Sequence, residues 1–159
     1  MAKSAVENPR YYDGPPLAQK TLVRARDAKT WKAGQPMVID SGLWEPVASN
    51  GTKVHGLAST DWDTATSSSD VYVERIVSTE TRFAAFLSYE DSDYTAKRSQ
   101  IGLGRGLHVG SNVCTVDVLD DTNAAVVIRS PLWVEEPYMN DSTDSPGQAV
   151  FTFKASALE

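Results

Sequence analysis

The sequence predicts an all-β fold, a small antiparallel β-barrel or sandwich with an extended N-terminal arm. Three observations predict it. Apolar residues gather in short runs rich in Val, Ile, Thr, Phe and Tyr, turn-forming Gly, Asn, Asp and Pro residues separate the runs, and no stretch carries the 3.6-residue period of an amphipathic helix. A chain of 159 residues fits one such domain, because about 150 residues bury roughly 70% of their unfolded surface around one core. With 41% hydrophobic and 23% charged residues, the composition excludes a disordered tail or a collagen-like rod.

Residues 1–20 come first as the arm. Asn8, Pro9, Asp13, Gly14, Pro15 and Pro16 leave no sustained period of either kind. Tyr11, Tyr12 and Leu17 cannot make a core alone, so they lie on the body, touch another molecule or stay mobile. Arg10 beside two tyrosines resembles the aromatic-plus-arginine anchors of interfaces.

Residues 21–159 are the body. Thr21–Arg26 reads as its first strand, followed by a turn through Lys32–Gln35 and a second strand at Pro36–Asp40. Ser41-Gly42 leads into Leu43–Ala48, and Asn50-Gly51, a strong hairpin signal, returns the chain through Lys53–Ala58. Asp61 to Asp70 is a Ser/Thr/Asp-rich loop. Val71–Val77 and Arg82–Ser88 are β-branched or aromatic runs of strand length. Residues 90–99 are polar, with one helical turn expected around Tyr94–Arg98. Gly102, Gly104, Gly106 and Gly110 mark a flexible connection to the strand Asn112–Val118, and Asp120–Asn123 turns into Ala125–Ile128. Leu132–Val134 and Ala149–Phe153 are the last strand pair, flanking a polar loop at 139–147. Nine or ten strands result.

Charge divides the chain. Residues 1–35 hold seven Lys/Arg against Glu7, Asp13 and Asp27, a net +4, whereas residues 36–159 hold eight against eighteen, a net −10. An acidic body lacks the basic face that phosphate neutralisation requires, which argues against nucleic-acid binding. A basic leader on an acidic body suits an acidic partner; the plainer reading is a solvated tail with incidental charges. No apolar run reaches the roughly 18 residues of a membrane span, so no membrane partner is expected. Met1-Ala2-Lys3-Ser4 leads into no export signal, which deprives the sequons at Asn50 and Asn140 of meaning.

Chemistry has few candidates. Cys114 is alone, so no intramolecular disulfide or all-cysteine zinc site forms, and a mid-strand cysteine is usually a small apolar residue. His55 and His108 have no metal-ligand spacing. Gly102-Leu103-Gly104-Arg105-Gly106 fails the phosphate-loop and dinucleotide patterns and reads as a glycine-rich loop between strands. The acidic clusters Asp61/Asp63, Glu90/Asp91/Asp93, Asp120/Asp121 and Glu135/Glu136 match no calcium loop and read as solvated turns. Paired carboxylates cleave sugars only when folded about 5–10 Å apart. Trp31, Trp44, Trp62 and Trp133 are candidates for sugar stacking, against a core or interface role. No catalytic residue, cofactor or metal is expected.

The run Trp31-Lys32-Ala33-Gly34-Gln35-Pro36-Met37-Val38-Ile39-Asp40-Ser41-Gly42-Leu43-Trp44-Glu45-Pro46-Val47, followed by Lys53-Val54-His55-Gly56-Leu57-Ala58, resembles the capsid decoration (cement) proteins of tailed bacteriophages. Ser99-Gln100-Ile101-Gly102, Leu107-His108-Val109 and Asn123–Ile128 are similar to the second half of that barrel. The likeness spans residues 20–153 and rests mainly on glycines and small apolar residues; the 61–70 loop and the acidic 135–145 region depart from it. The resemblance implies a homotrimer on the outer surface of an icosahedral head, made in the host cytoplasm, with the major capsid protein as partner and an arm reaching across capsomer boundaries. Arg10, Tyr11, Tyr12 and Leu17 are then the shell-side anchors, with Arg24 and Arg26 as charge partners. A carbohydrate-binding β-domain of a phage or bacterial surface protein is the alternative, and a small barrel enzyme would need ionisable residues converging on His55 or His108.

Overall fold

The computed structural model describes residues 6–62, 70–89 and 92–159. Among these, the chain forms twelve strands and two one-turn helices. The strands are β1 (Arg10–Asp13), β2 (Thr21–Arg24), β3 (Pro36–Asp40), β4 (Leu43–Pro46), β5 (Gly56–Ala58), β6 (Asp70–Arg75), β7 (Arg82–Tyr89), β8 (Ser92–Asp93), β9 (Gly104–Gly110), β10 (Val113–Asp117), β11 (Val126–Pro131) and β12 (Gln148–Phe153). The helical turns are α1 (Leu132–Glu135) and α2 (Ala155–Leu158). The all-β expectation holds.

β7 organises the larger sheet. It pairs antiparallel with β12 from Phe83 to Phe86 and parallel with β10 at Leu87 and Ser88. Pairing continues from β10 to β9, β11 and β12, so five strands close into a barrel. Phe83, Ala85 and Leu87 alternate along β7 into the core, as a period-2 strand with one face on a barrel interior requires. There Phe83, Phe151 and Phe153 meet with ring centroids 5.2–5.7 Å apart, two of the three contacts edge-on. Ala84 and Phe86, on the alternate face, are buried as well.

The second sheet runs β2-β6-β5-β3-β4, all antiparallel. A parallel bridge from Ala25 to Trp44 brings its two ends together. Its inner face packs Ala25, Trp31, Met37, Trp44, Ala58, Val71 and Val73 into a second core. Leu57 on its outer face belongs to the barrel core, as do Val47, Val54 and Ile76 beside it, which joins the two units.

Several elements differ from the sequence expectation. Asn50-Gly51 is not a two-residue hairpin: β4 returns on β3, not β5, through Ser41-Gly42, whose φ angles of 52° and 81° are those of a type I′ turn. Asn50-Gly51 closes only a local turn, with the Gly51 N–H donating to the Ala48 carbonyl at 2.9 Å. The glycine-marked connection is largely strand β9. Gly104 and Gly106 reflect close approach rather than flexibility, since a Cβ on Gly106 would lie 2.1 Å from Asp120 Oδ2 and one on Gly104 3.2 Å from Ala124 Cβ. Leu132–Val134 is helical because Pro131 ends β11 and Leu132 turns inward to be buried. The turn near Tyr94–Arg98 is a 3₁₀ turn at Arg98–Gln100. The 61–70 loop falls mostly outside the described residues, as do Asp63, Glu90 and Asp91.

The aromatic cluster supplies the test of this packing. Phe151→Ala should lower stability by about 3–5 kcal/mol, read as a reduced urea midpoint with an unchanged slope.

Candidate functional site

The leader is part of the sheet. Tyr11 pairs with Phe83 and Arg10 with Ala84, so β1 lies along the first half of β7. The extended arm expected over residues 1–20 thus contains a short strand paired to the body; of the three options for its tyrosines and Leu17, the structure has them lying on the body. A four-residue strand supplied with partners from a distant part of the chain has no periodicity of its own to reveal it.

Side chains sew the leader down from residue 8 onward. Asn8 Oδ1 accepts from the Cys114 N–H at 2.8 Å, while Asn8 Nδ2 donates to the carbonyls of Asn112 at 3.1 Å and Ala33 at 3.3 Å. Arg82 presents a forked pair of N–H groups to the Asp13 carboxylate and a third to Glu135 at 3.3 Å. That fork holds the Asp13 carboxyl below the usual carboxylate range. Arg82 also lies over the Tyr12 ring, 5.6 Å from its centre. Burial, then the charges of Glu136 and Glu135, push the Tyr12 hydroxyl above its usual pKa. Thr81 Oγ1 donates to the Pro15 carbonyl at 2.6 Å.

The six predicted anchors therefore part company. Arg10 is exposed on β1 and donates to Gln148 at 2.7 Å, and Tyr11 is exposed beside it with its hydroxyl on the Gly14 carbonyl at 2.6 Å. Tyr12 is held under Arg82, and Leu17 packs against the barrel core. Arg24 is exposed at the end of β2, in the other sheet. Arg26 is occupied, with Asp40 at 3.0 Å and Glu45 at 2.8 Å. Arg10 and Tyr11 are both exposed on β1 but on alternate faces of the strand, and Arg24 stands apart in the second sheet.

Two exposed apolar features escaped sequence reading. Tyr138 and Met139, 99% and 82% exposed, sit in the loop between α1 and β12. Leu22 and Tyr72, 51% and 50% exposed, are directly opposite partners on β2 and β6. A Pro-Tyr-Met triplet in a loop of acids was the available signal for the first. The second needed the register.

The tryptophans are packed rather than displayed. Trp31 and Trp44 are buried, Trp133 is half-buried with its N–H on the Ala96 carbonyl at 2.8 Å, and Trp62 stacks on Trp31 at 6.2 Å. Trp31 and Trp62 line a cavity of about 350 Å³ with Lys32, Asp61 and Asn112. His55 accepts the Ile39 N–H at Nδ1, 2.9 Å away, and its Nε2 lies 3.0 Å from the Glu159 carbonyl oxygen, a structural position. His108 lines a cavity of about 300 Å³ with Ser88, Asp93 and Thr115, where the Ser88 and Thr115 hydroxyls share a 2.6 Å hydrogen bond. Burial pushes the Cys114 thiol up to about 12. Among the described residues no three His, Cys, Asp or Glu side chains group as metal ligands, and no helix is long and apolar enough to cross a membrane. No family model, curated protein or solved structure matches the chain.

The leader clasp has a definite pH signature. Because the folded Asp13 pKa is depressed, its stabilisation is present above the ordinary aspartate range and is lost as pH falls through the folded value. Asp13→Asn should lower the urea midpoint at neutral pH and converge with the parent in strong acid. A constant gap at every pH would contradict it.

Cys114 provides a second check. A buried thiol with so high a pKa should resist iodoacetamide in the native protein and react once in denaturant.

Proposed function

We propose that this protein is a structural virion protein that decorates the outer surface of an icosahedral phage head, bridging neighbouring capsomers as a homotrimer bound to the major capsid protein. The reading needs no catalytic residue or cofactor. One observation carries it beyond the resemblance of residues 20–153: the leader is fixed as β1, with Arg10 and Tyr11 both exposed on alternate faces of the strand. A contact surface already ordered before binding loses little conformational entropy on docking, so a small patch suffices. Several such patches on one trimer engage together, and modest binding per copy becomes firm attachment. A head under internal pressure fails where capsomers separate, and a bridging trimer adds interface that must break first.

A second reading has one observation in its favour. The half-buried Trp62 ring, backed by buried Trp31, lines a cavity with Lys32, Asp61 and Asn112 and offers a sugar an apolar surface and hydrogen-bonding groups. Binding on a glycan array that vanishes in Trp62→Ala would favour a carbohydrate-binding β-domain instead.

Deleting the whole leader is a poor test, because Asn8, Asp13 and Pro15 hold the body together. Point changes separate the two roles. Tyr11→Ala with Arg10→Ala should keep the fold and weaken co-sedimentation with undecorated heads by roughly 10- to 100-fold, the range of an aromatic-plus-arginine anchor. Unchanged attachment would remove β1 as the docking surface.

A further inference from the structure

Two cavities lie side by side next to the leader. One, of about 350 Å³, is the cavity of Trp31 and Trp62; the other, of about 450 Å³, has Glu7, Asn8, Arg10 and Gly34 in its lining. Lys32 and Asp61 line both, and Asn112 of the first is followed along the chain by Val113 of the second, so the two adjoin as one groove. Each falls in the lower half of the roughly 300–1,000 Å³ range of ligand sites, and the groove as a whole reaches the upper half.

Three separate parts of the chain build this groove, and one side chain ties them. Asn8 in the leader holds the Cys114 N–H and the Asn112 carbonyl of the barrel, and also the Ala33 carbonyl in the turn that enters β3. Gly34, at a φ of 82°, lets that turn approach the leader so closely that a Cβ there would lie 3.1 Å from the Pro9 carbonyl oxygen. Asp61 Oδ1 accepts the Ala33 N–H at 2.8 Å, and the Trp31 and Trp62 backbones exchange N–H···O bonds of 3.1 and 2.9 Å. The lining is therefore set before any ligand arrives, which spares binding an ordering cost.

Charge selects what the groove fits. Lys32 and Arg10 are matched by Asp61 and Glu7, all four exposed along the lining. A charged ligand would meet a like charge for every unlike one, with no gain to offset its desolvation. A neutral molecule with many hydroxyls uses both signs, donating to the carboxylates and accepting from the cations. The Trp62 ring at one end adds an apolar surface for a sugar ring.

We infer that the groove takes a neutral oligosaccharide of at least two units, the first on Trp62 and the next reaching past Lys32 and Asp61 to Glu7 and Arg10. It rests on the carbohydrate reading above and adds the length and charge of the ligand and the part played by the leader.

A glycan array of neutral and sialylated oligosaccharides selects the probe. Its mono-, di- and trisaccharide fragments are then titrated calorimetrically against the full chain, with circular dichroism as the folding control. A neutral glycan should bind, its disaccharide roughly 10-fold or more tighter than its monosaccharide. Trp62→Ala should abolish binding. Because Trp62 also packs against the second core, Lys32→Ala, at an exposed position, is the companion variant and should weaken the disaccharide roughly 10-fold. Glu7→Gln should reduce the gain from the second unit roughly 3-fold or more. An array with no bound glycan overturns the groove and the carbohydrate reading together and leaves head decoration standing. A monosaccharide bound as tightly as its longer forms, a preference for sialylated glycans, or a disaccharide indifferent to Lys32→Ala and Glu7→Gln overturns the groove alone and leaves Trp62 as a sugar platform.

Discussion

Closure of the barrel through β7 is the constraint on which the rest of the molecule depends. One eight-residue strand accepts β12 on one side and divides its other side between β1 and β10. Phe83 on β7 meets Phe151 and Phe153 on β12, so the contact that seals the barrel is also its densest aromatic packing. β10 takes only the last residues of β7, which leaves the first half of that edge for the leader. Had β10 extended to Phe83, β1 would have no partner and Arg10 and Tyr11 no fixed position.

The same division explains why the leader has two characters in a few residues. Asn8, Asp13 and Pro15 turn their bonding groups to the body, while Arg10 and Tyr11 remain outside. The basic charge of the leader is likewise partly internal business: Arg26 is consumed by Asp40 and Glu45, and such exposed pairs contribute little stability each. Arg10 and Arg24 are the predicted arginines that stay at the surface. They lie in different sheets.

Where local pattern and tertiary environment agreed, the fold was legible. Val71 and Val73 alternate with Asp70 and Tyr72 and become a strand with one buried face. β3, β7 and β12 were plain from their apolar runs. β9 was hidden because its glycines, placed to admit Asp120 and Ala124, look like loop residues. β1 was hidden because its pairing partner lies some seventy residues away. The hairpin turn went to Ser41-Gly42 over the stronger dipeptide Asn50-Gly51, since β5 joined β3 and β6 and left β4 no return strand. As for the site, Arg10 and Tyr11 were visible from composition. Tyr138 was not, because full exposure of an aromatic side chain is a property of the loop's own hydrogen bonds. Leu22 and Tyr72 become a pair only through the register of two strands separated by nearly fifty residues.

The central claim is that this β-body sits on the outside of a filled head with its leader strand against the shell. Electron cryomicroscopy of undecorated heads incubated with the full chain tests it directly. The account predicts added density on the outer surface where capsomers meet, grouped in threes, with β1 facing the shell. Heads without added density, or copies bound with β1 turned to solvent, would contradict it.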